Sequence, residues 1–516
     1  MKNSKLVKKG LGLIVVLLVV KLFGFLKQSI IAWKFGTSAD LDAFVVADGY
    51  INMFGQILLT AVPPAIVTLY LKRHYENERN DFISSSVIFL AVSGIVLVLL
   101  NIILSPVLAG LFGNSFDDLH KQQLSSFIRI LSPLIIFACI ASVSSGLLQS
   151  KNRFIPEKML GLFLSTSIII CTIFVSPYLG IYSLSIGFVV GYLVYFIMML
   201  ILLIKNASFR LQNPFKNNTF RRFLKNVFPI IIGICIVDTS HLIDRIIASS
   251  LESGSVSSLY YSQLLSGDLI NSVIIVSMGV LLLPKLSIDV QTKTKTELLK
   301  SIRNVFNIAS PIIVLFTAIY LVSGEKIVSI IFQRGEFVQS STAMVYSCVI
   351  GYSIGFVFML IKEILVRYFY ALENTKTPMF ANIIGILINI VLSLFLSAKI
   401  GVSGIALATS ISYFISDIVL LCKIGFKNLK SVFNDKHHSL WELLKNSIII
   451  LAVVIIGFLI QHVLNSSIII SLIISLMSMI LVFIGLSYIF KTDLGAFAFN
   501  TILNKINKKK VLSKKS

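Results

Sequence analysis

Fourteen times between residues 11 and 490 the sequence stays apolar for about the length a helix needs to cross a bilayer: 11–32, 43–70, 82–105, 124–149, 157–178, 180–204, 227–251, 259–283, 302–323, 342–371, 379–398, 401–422, 442–463 and 466–490. Hydrocarbon offers no partner to a backbone N–H or C=O, and about 20 helical residues at ~1.5 Å each cover its ~30 Å, so every run reads as a transmembrane helix. The fold expected is an all-α polytopic membrane protein of about 14 transmembrane helices. With 56% hydrophobic and only 13% charged residues in 516, and a mean hydropathy of +0.92, a large soluble domain is excluded.

The net charge of +22 would suit nucleic acid were it gathered on one soluble face, but the basic residues sit in short joints and tails. With the N-terminus, every second loop and the C-terminus assigned to the cytoplasm, that side holds 34 Lys and Arg, counting Lys158, Arg303 and Lys445 at the cytoplasmic ends of their spans, and the other only five (Lys34, Lys121, Lys326, Arg334 and Lys399), with six more deeper inside spans. This is the positive-inside asymmetry of a multi-pass protein of the cell membrane with both termini cytoplasmic. The start, MKNSKLVKKG before LGLIVVLLVV, has signal-peptide character but no small-residue cleavage site follows, so it is read as a retained first helix. Five cysteines lie within apolar runs without CxxC or Cys/His spacing, which predicts neither disulfide nor metal.

Matched landmarks recur at an interval of 221 or 222 residues: Pro156 with Pro378 in SKNRFIP and ENTKTP, Gly180 with Gly401, and Pro63 with Pro284. They predict two parallel six-helix repeats plus two C-terminal helices. The division expected is 1–204 for the first lobe, 205–226 for a basic cytoplasmic linker, 227–424 for the second lobe, 425–441 for a cytoplasmic loop, 442–490 for helices 13 and 14, and 491–516 for a basic tail. Linker and tail are expected to lie near anionic lipid.

Charges inside such runs demand an account. Val227 to Leu251 contains Asp238, His241, Asp244 and Arg245, and a charge at the middle of a lone membrane helix costs roughly 2.5–3.5 kcal/mol. On a helix, Asp238, His241 and Arg245 fall within about 60° of one another, with Asp244 about 120° from Asp238. Two readings stay open: a structural ion pair of Arg245 with Asp238 or Asp244, or a stripe lining a water-filled cavity. Lys21 and Lys27 in helix 1, Asp42 and Asp48 in helix 2, Asp268 in helix 8 and Lys362 in helix 10 favour the cavity, because helices 1 and 2 correspond to 7 and 8 in the duplication. Lysines attract phosphate as point charges, so an anionic cargo follows. Glu363 and Arg367, four apart, read as an intrahelical pair. His241 has no second ligand at metal spacing, and no G-x-S-x-G, H-E-x-x-H or P-loop occurs, so a transporter is expected rather than an enzyme or ATPase. No cofactor is expected. Drive is left to Na⁺, to H⁺ or to the membrane potential, the last worth about 2.3 kcal/mol per charge per 100 mV.

Four stretches resemble the MurJ (MviN) type lipid II flippases of the multidrug, oligosaccharidyl-lipid and polysaccharide exporter superfamily. They are GFLKQSIIAWKFGTSADLDAFVVA (Gly24 to Ala47), SGSVSSLYYSQLL (Ser253 to Leu265) with GVLLLPKLS (Gly279 to Ser287), FQRGEF (Phe332 to Phe337) and YALENTKTP (Tyr370 to Pro378). The resemblance implies two lobes around a cationic cavity for the pyrophosphate and sugars of an undecaprenyl-linked precursor, with helices 13 and 14 as a groove for its tail. It places Lys21 and Lys27 where the family has arginines and keeps the acid of the DAF motif as Asp42. It puts Gly55 at a family arginine, and Gln263-Leu264 at a family Asp-Arg pair. Arg245 or Lys362 is the candidate to compensate. The function implied is inward-to-outward flipping of a lipid II-like saccharide by alternating access, with capsule, O-unit or teichoic precursors as alternative cargo. An ion-coupled small-molecule exporter and a scaffold for envelope synthesis enzymes are the rivals. Partners expected are the lipid-linked saccharide and anionic lipid, with no nucleic acid.

Overall fold

In the computed structural model the described residues are 2–72, 78–208, 210, 213–268, 270, 286, 289–290, 292–425, 436–463 and 467–495. The eighth expected span beyond Asp268 apart from residue 270, Pro284 with the 279–287 stretch apart from residue 286, most of the 425–441 loop, and the tail from residue 496 lie outside them. Among described residues twelve helices are long and apolar enough to cross a membrane, thirteen if Gln339–Ile354 and Phe356–Ala371, which meet at a 42° bend, count together as one broken span rather than a re-entrant loop.

Contacts divide the chain into two units, Met1–Ser257 with Arg334–Ser341, and Ser258–Gln333 with Thr342–Ser516. The first holds α1 (Lys2–Phe35), α2 (Ala39–Tyr70), α3 (Arg79–Phe112), α4 (Asp118–Leu131), α5 (Leu134–Ser150), α6 (Ile155–Lys158), α7 (Leu160–Phe174), α8 (Ser176–Leu179), α9 (Tyr182–Asn206) and α10 (Asn218–Ala248). At its centre α2 packs on α4, α5 and α10, while α9 packs on α5 and α7, and α1 runs along α7. With lipid outside, hydrophobicity does not drive helices together, so small residues and hydroxyls do the packing. Gly146 of α5 sits so close to α2 that a Cβ there would lie 2.7 Å from Ile66 Cβ. Ser144 donates to Met199 O at 2.8 Å and Ser167 to Gly187 O at 2.7 Å, tying α5 and α7 to α9. Outward faces are apolar, as at Ile103 and Leu111.

The second unit follows α11 (Ser255–Gln263), which runs into a π-helical turn over Leu264–Asp268. It contains α12 (Lys295–Phe332), α13 (Gln339–Ile354), α14 (Phe356–Ala371), α15 (Lys376–Ile400), α16 (Val402–Ile424), α17 (Lys436–Val463) and α18 (Ile468–Ile489). A capping box of Thr294 and Glu297 starts α12. α16 packs on α15 and α14, with Ser416 donating to Ala381 O of α15 at 3.2 Å, and its Ser410 donates to Gly351 O of α13 at 2.6 Å. α17 and α18 pack on each other and on α12 through Leu315, Val322, Val453, Met479 and Phe483. Inside that apolar seam Gln461 donates to Ser323 at 2.6 Å and Lys326 to Ser471 at 3.2 Å.

The turns read as repeats from sequence share unusual backbone. Asn152 (φ 56) and Glu373 (φ 58) are 221 residues apart, as are Gly180 (φ 52) and Gly401 (φ 65), and all four are left-handed.

Candidate functional site

Unit 1 collects charges from α1, α2 and α10. Asp48, 7% exposed, is the focus. Lys27 and Arg245 both act on its carboxylate, and the Asn52 amide one turn on donates to it. Asn52 in turn accepts from Tyr192 of α9 at 3.1 Å, so the buried acid is held by a chain of donors as well as by cations. Arg245 crosses from α10 to α2 and donates through Nη1 to Val45 O at 2.8 Å. It can do so because residue 49 is glycine: a Cβ there would lie 2.2 Å from Nη1. Lys27 is half-buried, its ammonium 5.7 Å from the centre of the Phe188 ring.

The remaining predicted residues take different places. Asp238 is half-buried on α10, and its Oδ2 has no hydrogen-bond partner among the described residues. His241, one turn before Arg245, is exposed and feels that arginine's charge, whereas Asp244 is buried. Lys21 is exposed on α1. Across helices Arg245 acts on Asp48 of α2, an influence that sequence periodicity within α10 does not contain.

Asp42, expected among the cavity residues, is 2% exposed and occupied by backbone: Gly254 N–H donates to Oδ2 and Ser257 N–H to Oδ1, each at 2.7 Å. A carboxylate there satisfies orphan donors at the start of α11 and meets the positive end of its dipole, so Asp42 acts as a cap. Beside it the joints between helices touch through main chain. Glu336 N–H donates to Trp33 O at 3.0 Å, and Thr37 and Ser341 hydroxyls lie 2.7 Å apart. Gly36 (φ 56), Gly254 (φ 90) and Gly335 (φ 59) leave no room for a Cβ, which would fall 2.3 Å from Glu336 O, 2.7 Å from Thr37 O and 2.2 Å from Trp33 O respectively.

In unit 2, Lys362 of α14 has its ammonium 5.0 Å from the Tyr413 ring centre and interacts with Asp417 and Glu363. Glu363 and Arg367 form the pair expected from their spacing. Asp417, absent from the expected site, is 2% exposed. Asn52, Tyr192 and Asp417 are what the reading of the sequence missed. Asp417 carried a signal, a lone carboxylate in an apolar run. Asn52 and Tyr192 are ordinary neutral residues whose partners lie on other helices.

The family model described as lipid II flippase MurJ matches residues 31–484. A probable lipid II flippase MurJ of Buchnera aphidicola subsp. Baizongia pistaciae is 27% identical over 81% of this chain and 83% of its own length. One of Treponema pallidum is 26% identical over 81% of each. Among solved structures, a lipid II flippase MurJ in an inward closed conformation superposes with a TM-score of 0.79 at 24% identity, covering 93% of this chain and 98% of that one. An inward-facing multidrug resistance MATE family transporter gives a TM-score of 0.66 at 12% identity over 81% and 98%.

Proposed function

Since the chain belongs to the lipid II flippase MurJ family, we propose that it carries an undecaprenyl-pyrophosphate-linked saccharide, lipid II or a close relative, from the inner to the outer leaflet of the cell membrane by alternating access. The observation that carries the reading is that Arg245 of α10 lies against Gly49 and Val45 of α2, beside the buried Asp48, on which Lys27 of α1 also acts. An arriving pyrophosphate supplies the negative charge that Asp48 otherwise supplies, so the cations exchange one anion for another instead of being stripped of partners. The polar head travels past these groups while the polyprenyl tail stays in hydrocarbon. The apolar outer faces of α17 and α18, with Leu451 and Leu481 exposed, suit that tail. The 34-to-5 split of basic residues supports cytoplasmic termini, and the basic linker suits anionic lipid.

Gly55 favours a second cargo, a capsule, O-unit or teichoic precursor: it faces Tyr192 Oη, 3.4 Å from where a Cβ would stand, at the place the family resemblance gives to an arginine. Reconstitution in proteoliposomes with fluorescent lipid-linked saccharides tests both. Flipping of a lipid II analogue, lost in Lys27→Ala and Arg245→Ala, is expected. Undiminished flipping in both variants overturns the role of the cation pair, and flipping confined to another saccharide selects the second cargo.

A further inference from the structure

Asp417 lies near the end of α16, a 23-residue helix, and is 2% exposed; neither carboxylate oxygen has a hydrogen-bond partner among the described residues. A carboxylate kept permanently ionised in such a place is expensive, which is why buried acids normally collect donors. The charge that acts on Asp417 is Lys362 of α14, whose ammonium rests over Tyr413, one turn before Asp417 on the same helix. The other groups on the packed elements are accounted for. Glu363 of α14 is paired with Arg367, and α15 brings only Lys376 and Lys399, which stand at its two ends. On α16 itself the remaining charge is Lys423, in the last turn. No group of three or more His, Cys, Asp or Glu that could hold a metal occurs among the described residues. A proton asks for a single base, which a lone carboxylate supplies.

We propose that Asp417, opposed by Lys362, is a proton-binding site. With the ammonium close, the carboxylate is ionised. When the flexible lysine turns away, a proton from water adds to one carboxylate oxygen, and the same proton returns to water when the ammonium comes back. Lysine suits this, because its charge is a point on a long stem and not a fixed fork. If the function is the flipping of an anionic lipid, as proposed above, an arriving phosphate draws Lys362 off and proton uptake accompanies cargo binding. That step rests on the flippase reading; the proton site does not.

The test uses the full chain in lipid nanodiscs, followed by infrared difference spectroscopy as pH is varied. A protonated-carboxyl C=O band that titrates is expected in the wild type and in Asp417→Glu, and its loss is expected in Asp417→Asn. In Lys362→Gln the band should persist to higher pH, since removing the cation favours the neutral acid. Circular dichroism of the same samples establishes that each variant is folded. An identical band in folded Asp417→Asn, or a titration unmoved in Lys362→Gln, overturns the site. A second arm imposes a pH gradient on proteoliposomes carrying a fluorescent lipid-linked saccharide. Gradient-dependent flipping that becomes gradient-independent in Asp417→Asn supports coupling, and wild-type flipping blind to the gradient overturns it. A wild type that flips no saccharide yet shows the Asp417 band refutes the cargo and leaves the proton site standing.

Discussion

Asp48 and Asp417 are both carboxylates deep inside membrane-length helices, one in each unit, and their surroundings differ in kind. Asp48 has an amide donor, a second amide-to-phenol link behind it, and two cations that act on it. Asp417 has one nearby cation and no hydrogen-bond donor among the described residues. The first arrangement surrounds a carboxylate with a donor and with cations carried by α1 and α10. The second leaves the protonation state open. Burial alone therefore does not say what a membrane carboxylate is for; the donors around it do.

The largest effect should come from removing one of the two cations on the Asp48 side. Arg245→Ala leaves the buried Asp48 with Lys27 and the Asn52 amide, and stability should fall by at most about 3 kcal/mol, the low end for a broken buried pair; Gly49→Ala, which crowds the guanidinium without removing it, should act in the same direction by less. Thermal unfolding in detergent with a tail-independent fluorescent probe reads both. Next come matched neutralisations. Asp48→Asn should lower the melting temperature, since the amide cannot serve two cations, whereas Asp417→Asn should leave it unchanged or raised. Equal losses at both sites would erase the distinction. Asp42→Ala removes a cap from two backbone donors, and about 1–2 kcal/mol of stability should go with it, together with faster hydrogen exchange at Gly254 and Ser257. The smallest effect belongs to Asp117, fully exposed at the start of α4. Its carboxylate is held below the ordinary 3.8 chiefly by the backbone N–H of His120, with the His120 side chain second. A lowered acid contributes stability that is fully present above the ordinary value and is lost as pH falls through the lower one. Asp117→Asn should therefore keep the cap and flatten the stability profile below about pH 4, where the wild type declines.

How much of this could be seen in the sequence follows from the range of the interactions. Spans are legible because apolar length is a local property, and thirteen of the fourteen runs correspond to spans among the described residues once the bent pair is counted as one. Their breaks are not. The run 124–149 is two helices, ending at Leu131 and restarting at Leu134 around Pro133, and 342–371 bends near Gly355; hydropathy passes over both. At the site, the residue types were visible and their partners were not. Asp42 is bound to donors 212 and 215 residues away, so nothing near the DAF stretch reveals that its charge is already in use. Asp417 was legible as a lone acid in the run 401–422, but its meaning depends on which groups fail to reach it, and that is a property of the packed helices.

The contacts of Gly36, Gly254 and Gly335 with Trp33, Thr37 and Glu336 have a consequence of their own. With cytoplasmic termini, as proposed above, this junction is at the external end, and it is fastened by peptide groups against peptide groups. Those peptide contacts carry no charge, and a group beside them that can titrate is the Asp42 carboxylate that holds Gly254 and Ser257. A single methyl at any of the three glycines would stand in the gap like a doorstop, which leaves that end of the protein tunable in one direction only, toward ajar.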